Sequence, residues 1–151
     1  MENKGFNIRV YGFLIDEGKI LVTDEFRLGI FMTKFPGGGL TYGEGLKECL
    51  KREFMEELNL EIEIVAHYYT TDFFVASDLL PVESQLINIY YLVEAKKPFP
   101  FKTTTKKFDF PEMADGAQCF RWISIRELSE NEFTFPIDKF IVYKLKKDFG
   151  N

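Results

Sequence analysis

The chain has 151 residues, of which 46% are hydrophobic and 28% charged, and this size and composition are typical of one soluble globular domain. Its net charge of −5 argues against a nucleic-acid polymer as the main partner, so a small anionic substrate would need a metal ion or a local basic pocket. The first ten residues contain no apolar run that resembles a signal peptide, and no segment is long enough to span a bilayer. We therefore expect a single domain over residues 1–151 that contacts neither a membrane nor a nucleic-acid polymer.

The first half of the sequence predicts a hairpin, a third strand and a helix. Residues 6–15 alternate apolar and other side chains as a strand does, and residues 16–18 (Asp-Glu-Gly) signal a turn. Residues 19–23 then pair back as the second strand of a hairpin. A short strand over residues 30–35 is ended by a proline and three glycines, and a helix is expected over residues 45–58.

The second half predicts three more strands. Two of them cover residues 61–75 and 85–95, which are rich in β-branched and aromatic side chains, with a loop over residues 76–84 between them. Residues 96–116 contain three prolines and no steady period, so they are expected to form a long loop. A loop of that length is itself a mild indication of function. The last strand is expected over residues 118–123.

The C-terminal part predicts helical structure that packs on a sheet. Ser124 is expected to cap a helical turn. Pro136 is expected to open a terminal helix, because proline is tolerated at the first helical position. The apolar stripe of that helix consists of Ile137, Phe140, Ile141 and Leu145. A mixed sheet with one inner and one terminal helix corresponds to an α/β or α+β sandwich.

The helix predicted over residues 45–58 carries carboxylates at the edges of its apolar face. On a helical wheel the inward arc consists of Leu46, Leu50, Phe54 and Leu58, and the acids beside it are Glu53, Glu56 and Glu57. Arg52 can reach Glu56 and Glu48, which neutralises one edge only. Two or three converging carboxylates suit a hard divalent ion such as Mg²⁺ or Mn²⁺, and Mg²⁺ takes further ligands from substrate phosphates. A glutamate-rich helix is more often a solvated face, so this helix alone does not decide the function.

The residues around this helix carry a longer pattern. It reads Gly38, five residues, Glu44, seven residues, Arg52-Glu53-Phe54, one residue, Glu56-Glu57, one residue, and Asn59-Leu60. This resembles the box of the Nudix hydrolase family (MutT-like), and six of its charged or glycine positions match at the required spacing. Two positions depart from it. Asn59 replaces a glycine that ends the helix in a left-handed conformation, which asparagine tolerates next best, and Phe54 replaces an aliphatic core residue.

The resemblance implies a Nudix-type α/β/α sandwich with a mixed β-sheet between helices, and a metal-dependent pyrophosphohydrolase. Its substrate would be a nucleoside diphosphate linked to another moiety, which water attacks at phosphorus. The implied ligands of Mg²⁺ (or Mn²⁺) are Glu53, Glu56, Glu57 and the backbone carbonyl of Gly37. Arg52 would orient Glu56 or Glu57. Glu44 would be a supporting acid that binds the metal weakly or through water.

The resemblance does not identify the general base. In this family the base is either a box glutamate, here Glu53 or Glu57, or an acid from a later loop. Glu112 and Asp115 are the late-loop candidates, and Asp115 lies seven residues before Trp122. An ordinary turn aspartate before Gly116 is at least as good an interpretation of Asp115. Arg9, Arg27 and Lys34 could contact a phosphate, although surface cations of this kind usually have no specific role.

Several alternatives stay open. The extra residues that mark substrate subgroups of the family are absent near residues 75–81, so a nucleotide or nucleotide-sugar substrate is a default assumption. A non-enzymatic nucleotide sensor on the same fold is the main alternative, although such proteins usually lose box acids. An isoprenoid diphosphate isomerase would need a catalytic cysteine, and Cys49 lies inside the box helix, the wrong place. Because Cys49 and Cys119 have neither metal-ligand nor redox spacing, we expect free thiols in a cytoplasmic protein, with a homodimer as one possible assembly.

Overall fold

The computed structural model describes residues 5–77 and 83–150. The strands in this part of the chain are β1 (Gly5–Asp16), β2 (Lys19–Arg27), β3 (Ile30–Lys34), β4 (Gly37–Gly39), β5 (Glu63–Thr70), β6 (Ala76–Ser77), β7 (Ser84–Glu94) and β8 (Ala117–Ser124). The α-helices are α1 (Leu46–Leu58) and α2 (Pro136–Phe149), and two 3₁₀ turns cover Ile125–Glu127 and Glu130–Glu132. Among these residues no helix is both long enough and apolar enough to cross a membrane.

The described residues fall into two compact units. Of the described residues, unit one contains 5–12, 37–77 and 83–99, and unit two contains 13–36 and 100–150. Strand β1 belongs to unit one at its start and to unit two at its end. A single domain over residues 1–151 therefore stays a prediction.

Unit one is a sheet with helix α1 on one face. β1 pairs antiparallel with β4, so that Val10 lies opposite Gly38, and β7 is the other neighbour of β1. β5 pairs antiparallel with β7, with two bulges, and β6 pairs with β7 near its start. Helix α1 buries Cys49, Leu50, Phe54 and Leu58. Three of the four residues predicted to face the core are therefore buried, but Leu46 is only half-buried, and Cys49, which was not predicted to face the core, is buried.

Unit two contains two hairpins that share β2. Glu17 and Gly18 both have positive φ, 50° and 76°, in the two-residue turn between β1 and β2. Leu28 and Gly29 repeat this geometry, φ 51° and 76°, between β2 and β3. Two successive positive φ angles define the turn that matches the twist of paired strands. The first hairpin confirms the prediction, whereas the second was not predicted, because β2 extends to Arg27 rather than ending at residue 23.

Aromatic residues fill much of the core of unit two. The rings of Phe13 and Phe35 meet edge to face at 4.8 Å, and those of Phe35 and Phe133 stack at 4.7 Å. β8 pairs with β2 along its whole length. The charged pair Asp24–Arg121 lies buried between these two strands, with Nε of Arg121 2.5 Å from Oδ2 of Asp24. The high phenylalanine content of the sequence is thus used largely for packing.

The C-terminal helix agrees with the sequence in place but not in every contact. α2 begins at Pro136, as predicted, and buries Ile137, Ile141 and Leu145. Phe140 is 40% exposed, so its assignment to the apolar stripe was wrong, and Val142 is buried in its place. Ser124 precedes the first 3₁₀ turn as predicted, but its side chain makes no capping hydrogen bond.

Other differences concern strand lengths. The three glycines expected to end β3 form the short strand β4 instead. The strand predicted over residues 61–75 is shorter, since only β5 (Glu63–Thr70) lies within it. Ala76 and Ser77, expected in a loop, form β6 because they pair with the start of β7. Residues 96–116 contain no strand or helix, which confirms the predicted long loop. Of the loop expected over residues 76–84, Asp78 and Pro81 lie outside the described residues.

Candidate active site

The glycine strand β4 brings backbone and side chains closer together than any other residue would allow. Gly37 has φ 149°, and a Cβ on it would lie 2.1 Å from the carbonyl oxygen of Val10. A Cβ on Gly38 would lie 2.5 Å from the carboxyl carbon of Glu53 and 2.5 Å from its Oε1. The carboxylate of Glu53 therefore packs directly on the backbone of Gly38, which only glycine permits.

Helix α1 ends as the sequence predicts. Asn59 is left-handed, with φ 51° and ψ 37°, and its N–H donates to the carbonyl of Met55 at 3.0 Å. The N–H of Leu60 donates to the carbonyl of Phe54 at 3.3 Å. The bond from Asn59 to Met55 is that of the αL helix end, and both bonds satisfy carbonyls of the last helical turn. The predicted left-handed asparagine at this site is confirmed.

The second departure from the box pattern, Phe54, is accommodated by a glycine on β1. A Cβ on Gly12 would lie 2.8 Å from the ring of Phe54 and 3.4 Å from Leu50. Phe54 is fully buried. The larger aromatic ring thus occupies the space that a side chain at position 12 would take, so the change is a matter of packing.

Arg52 lies among three of the predicted acids. Its Nη2 and Nε donate to the two carboxylate oxygens of Glu44 at 2.7 and 2.9 Å. Its Nη1 donates to Glu53 at 3.0 Å and to Glu56 at 3.2 Å. Nη2 also approaches the carbonyl oxygen of Gly39 at 3.3 Å. One guanidinium thus connects the loop before the helix, the helix and the glycine strand.

The expected partners of Arg52 are only partly those observed. The contact with Glu56 is confirmed, whereas no hydrogen bond or ion pair within residues 5–77 and 83–150 joins Arg52 to Glu48, so that expectation was wrong. The reason is that the loop before the helix presents Glu44 to both sides of the guanidinium fork, which favours a bidentate carboxylate. Glu57, on the same helix, is half-buried.

The position of Glu44 is itself fixed by the backbone. Its Oε1 accepts a hydrogen bond from the N–H of Thr41 at 2.9 Å, and its own N–H donates to the carbonyl of Thr41 at 3.2 Å. This reciprocal contact was not predicted from the sequence. The spacing Thr41-x-x-Glu44 is the signal that could have shown it, because it has the form of a capping box.

The charges shift the pKa values of the groups that they contact. The hydrogen bond from Arg52, followed by that from the Thr41 N–H, lowers the pKa of Glu44 to about 2. Glu44, before the smaller effect of Glu53, raises the pKa of Arg52. Burial, and then the contact with Glu44, raises the pKa of Cys49 to about 12. This neutral thiol lies 3.5 Å from the carbonyl oxygen of Gly39, which agrees with a structural role.

The predicted site residues divide between the two units. Gly37, Glu44, Arg52 and the three box glutamates belong to unit one. Asp115 belongs to unit two, where its Oδ1 accepts a hydrogen bond from the N–H of Leu28 at 2.8 Å. This contact holds the left-handed turn between β2 and β3. Asp115 thus has a structural role, and its catalytic role stays a prediction, as does that of the exposed Glu112.

The donor set of unit one fits a divalent cation, although it is not closed around one. Within the described residues no three His, Cys, Asp or Glu side chains converge as a preformed metal site. The carboxylates of Glu53 and Glu56 nevertheless both lie within 3.2 Å of the same nitrogen of Arg52. These two carboxylates thus converge on the positively charged guanidinium of Arg52. Carboxylate oxygens are hard ligands, which Mg²⁺ and Mn²⁺ prefer.

Comparisons with known proteins identify the family of the chain. A family model described as the NUDIX domain matches residues 5–144, a range that runs through both units. The chain therefore belongs to the Nudix domain family.

The two cysteines are free, as predicted.

The chain is similar to an RNA pyrophosphohydrolase of Campylobacter jejuni subsp. jejuni (strain 81-176), with 31% identity over 103 residues. These residues are 64% of this chain and 61% of the relative, so the chain spans about three fifths of the length of that protein. The same similarity holds for the RNA pyrophosphohydrolase of Campylobacter jejuni strain RM1221.

Solved structures with the same fold include the MutT protein from Methanosarcina mazei Go1, with a TM-score of 0.67 and 18% identity over 98% of both chains. The MutT protein from methicillin-resistant Staphylococcus aureus 252 gives a TM-score of 0.64 and 24% identity, and covers 96% of this chain and 98% of that one. At these identities the likeness shows the fold. The predicted Nudix-type α/β/α sandwich with a mixed sheet is confirmed.

Proposed function

We propose that this protein is a metal-dependent pyrophosphohydrolase that cleaves a nucleoside diphosphate linked to another moiety, such as a nucleotide or nucleotide sugar. The observation that carries the proposal is the arrangement of Glu53, which packs on the backbone of Gly38 and shares one nitrogen of Arg52 with Glu56. Three carboxylates for one arginine leave negative charge that a divalent cation and an anionic substrate would balance.

The residues that would hold Mg²⁺ or Mn²⁺ are Glu53, Glu56, Glu57 and the carbonyl of Gly37. When bound, such an ion polarises phosphate oxygens and lowers the pKa of a water molecule. The absence of side chains at Gly37 and Gly38 lets β4 lie against the backbone of β1 and against the carboxylate of Glu53. Arg52 holds two of the carboxylates, and Glu44, ionised because its pKa is low, fixes Arg52.

In the proposed reaction, water attacks one phosphorus of the anhydride, the P–O bond to the bridging oxygen breaks, and two phosphate-containing fragments leave. A general base removes the proton of the attacking water. The candidates for this base are Glu53, Glu57 and, from unit two, Asp115. Since Asp115 already accepts the N–H of Leu28, the box glutamates are the better supported of these.

The experiment is phosphate or nucleoside monophosphate release from a panel of nucleotides and nucleotide sugars with Mg²⁺. We expect turnover by the wild-type protein and a loss of at least about 100-fold in Glu57→Gln. Glu48→Gln is the matched control, because Glu48 is an exposed glutamate on the same helix outside the box pattern, and it should keep its rate. Tight binding without turnover in the wild type would instead favour the non-enzymatic nucleotide sensor.

A second candidate substrate is the 5′-triphosphate end of RNA. The observation that favours it is the similarity to proteins named RNA pyrophosphohydrolase. The net charge of −5 opposes it, because contacts to a phosphate backbone need cations. Including a 5′-triphosphorylated oligoribonucleotide in the same panel decides between them, since faster pyrophosphate release from RNA than from free nucleotides would favour the RNA end.

A further inference from the structure

A row of polar and aromatic side chains lies on the face of the unit-one sheet that is turned away from helix α1. Gly12 and Gly38 face the helix, since their missing side chains would meet Phe54 and Glu53. Side chains alternate along a strand, so Arg9 and Tyr11 of β1 point to the other face. The row continues on β7, because the rings of Tyr11 and Tyr90 stack at 5.4 Å.

The side chains of this row are joined by hydrogen bonds. Nε of Arg9 donates to the hydroxyl of Tyr11 at 2.6 Å, and the guanidinium lies 5.7 Å from the centre of the same ring. At the other end, the amide of Asn88 donates to the hydroxyl of Tyr90 at 3.2 Å. A half-buried arginine is thus held in one orientation by a tyrosine that is itself fixed by stacking.

The hydrogen bonds of the row are not saturated. Asn88 is only 5% exposed, and its Oδ1 has no hydrogen-bond partner among residues 5–77 and 83–150. Its backbone is separately fixed by Thr71, whose hydroxyl is 3.0 Å from the Asn88 nitrogen. Buried polar groups are normally paired, so this oxygen is a place where a water molecule or a ligand would bind.

Arg9 also lies beside the glycine strand of the proposed active site. It is paired with Gly39 in the β1–β4 register, and its Nη1 is 3.5 Å from the position that a Cβ on Gly39 would take. The carbonyl of the same glycine is 3.3 Å from Nη2 of Arg52. Gly39 is therefore approached by two guanidinium groups, of which Arg52 is surrounded by carboxylates.

We propose that Arg9 is a phosphate-binding residue, which Tyr11 positions and which contacts the pyrophosphate unit of the substrate. This inference rests on the proposed function, since it assigns a residue to the same site. A guanidinium pairs with phosphate oxygens through two parallel N–H groups. The hydrogen bond from Nε to Tyr11 holds the guanidinium of Arg9, and its Nη1 lies beside Gly39 on the neighbouring strand β4. The acidic residues of the box can bind phosphate only through a metal ion. Arg9, in contrast, supplies positive charge from the chain itself.

The test is calorimetric binding of inorganic pyrophosphate and of α,β-methylene-ADP, which cannot be hydrolysed at that bond, to the full chain with and without Mg²⁺. We expect Arg9→Gln to weaken the binding of both ligands by about 10- to 100-fold. Arg9→Lys should recover only part of this, because lysine lacks the planar fork. Tyr11→Phe keeps the stacked ring but releases Nε of Arg9, so it should weaken binding by a smaller factor while the melting temperature confirms folding.

Lys147→Gln is the charge-matched control, since it removes the same charge from an exposed position near the end of α2, and it should bind both ligands as the wild type does. Equal weakening in Arg9→Gln and Lys147→Gln would overturn the proposal, because the effect would then reflect net charge. Wild-type affinity in both Arg9→Gln and Tyr11→Phe would overturn it as well. Binding that weakens in Arg9→Gln even if no substrate is turned over would support the phosphate contact and contradict only the proposed hydrolysis.

Discussion

Each of the two units contains an arginine held by carboxylates, and the two clusters differ in exposure and in charge balance. In unit two, Asp24 is completely buried and the side chain of Arg121 is 9% exposed. Asp24 accepts both fork nitrogens of Arg121 and the hydroxyl of Thr33 at 2.7 Å. Arg121 also lies 3.6 Å from Glu132, which pairs with Lys107 at 3.4 Å, so two positive and two negative charges balance in this cluster.

In unit one, the side chain of Arg52 is 33% exposed and faces three carboxylates rather than two. The carboxylate of Glu53 is largely covered, whereas that of Glu56 is 58% exposed. This cluster has a surplus of negative charge at a surface that water and ligands can reach. A surplus of this kind costs stability unless a cation joins it, so its presence indicates a site rather than a structural pair.

The largest effect that we expect is a loss of stability when the buried arginine of unit two is replaced. Arg121→Leu leaves the charge of Asp24 buried without its partner and should lower the free energy of unfolding by about 3–5 kcal/mol. The double variant Asp24→Leu/Arg121→Leu removes both charges and should be less destabilised than the single variant. Urea denaturation of the three proteins measures this. A single variant as stable as the wild type would remove the contrast between a structural pair and a site.

The next effect concerns the glycine strand of the proposed active site. Gly38→Ala places a methyl group against the carboxylate of Glu53, whose flexible end can move away, so the protein should fold but lose about 100-fold in hydrolysis rate. Gly37→Ala meets the backbone carbonyl of Val10 at a positive φ and should destabilise the fold itself.

The two glycine variants are compared by melting temperature and by initial rate in parallel. Gly5→Ala is their control, because a Cβ there meets nothing within 4 Å and its φ is not positive. If Gly38→Ala kept the wild-type rate, the carboxylate of Glu53 would not need its place on the strand, and its assigned role would be wrong.

The features of the site that depend on local sequence could be predicted from the sequence. The position of helix α1, its left-handed end at Asn59 and the acids at its apolar edge all follow from periodicity and from the box spacing. The turn between β1 and β2 was equally clear, because its residues are adjacent in the chain.

Features that depend on a partner far along the chain could not be predicted. β4 is a strand only because β1 lies beside it, and three glycines alone indicate a turn. The bidentate contact between Arg52 and Glu44 depends on the path of the loop that joins them. Leu46 is only half-buried although it lies between Cys49 and Leu50 on the helical wheel, because it is the first residue of α1 and a wheel does not show what covers the end of a helix.

A smaller effect should appear in the pH dependence of stability. The pKa of Glu44 is about 2 in the folded protein and 4.5 as its ordinary value. Because the folded pKa is the lower one, the ionised Glu44 stabilises the fold above pH 4.5, and this contribution is lost as the pH falls toward 2. The difference in melting temperature between the wild type and Glu44→Gln should therefore shrink over this range. A difference that stayed constant from pH 7 to pH 2 would show that the charge of Glu44 does not contribute.

The smallest effect concerns the end of the box helix, where Asn59 stands in place of the family's glycine. Asn59 has φ 51°, a conformation that glycine adopts without steric cost and alanine does not. Asn59→Gly should therefore change the free energy of unfolding by no more than about 0.5 kcal/mol, whereas Asn59→Ala should lower it by about 1 kcal/mol. Denaturant midpoints of the two variants and the wild type measure this.

Since the side chain of Asn59 is exposed and the hydrogen bonds at the helix end come from the backbone, neither variant should change the hydrolysis rate of folded protein. A rate that fell in Asn59→Gly would mean that the asparagine side chain itself takes part in the site, and the departure from the family pattern would then be functional rather than structural.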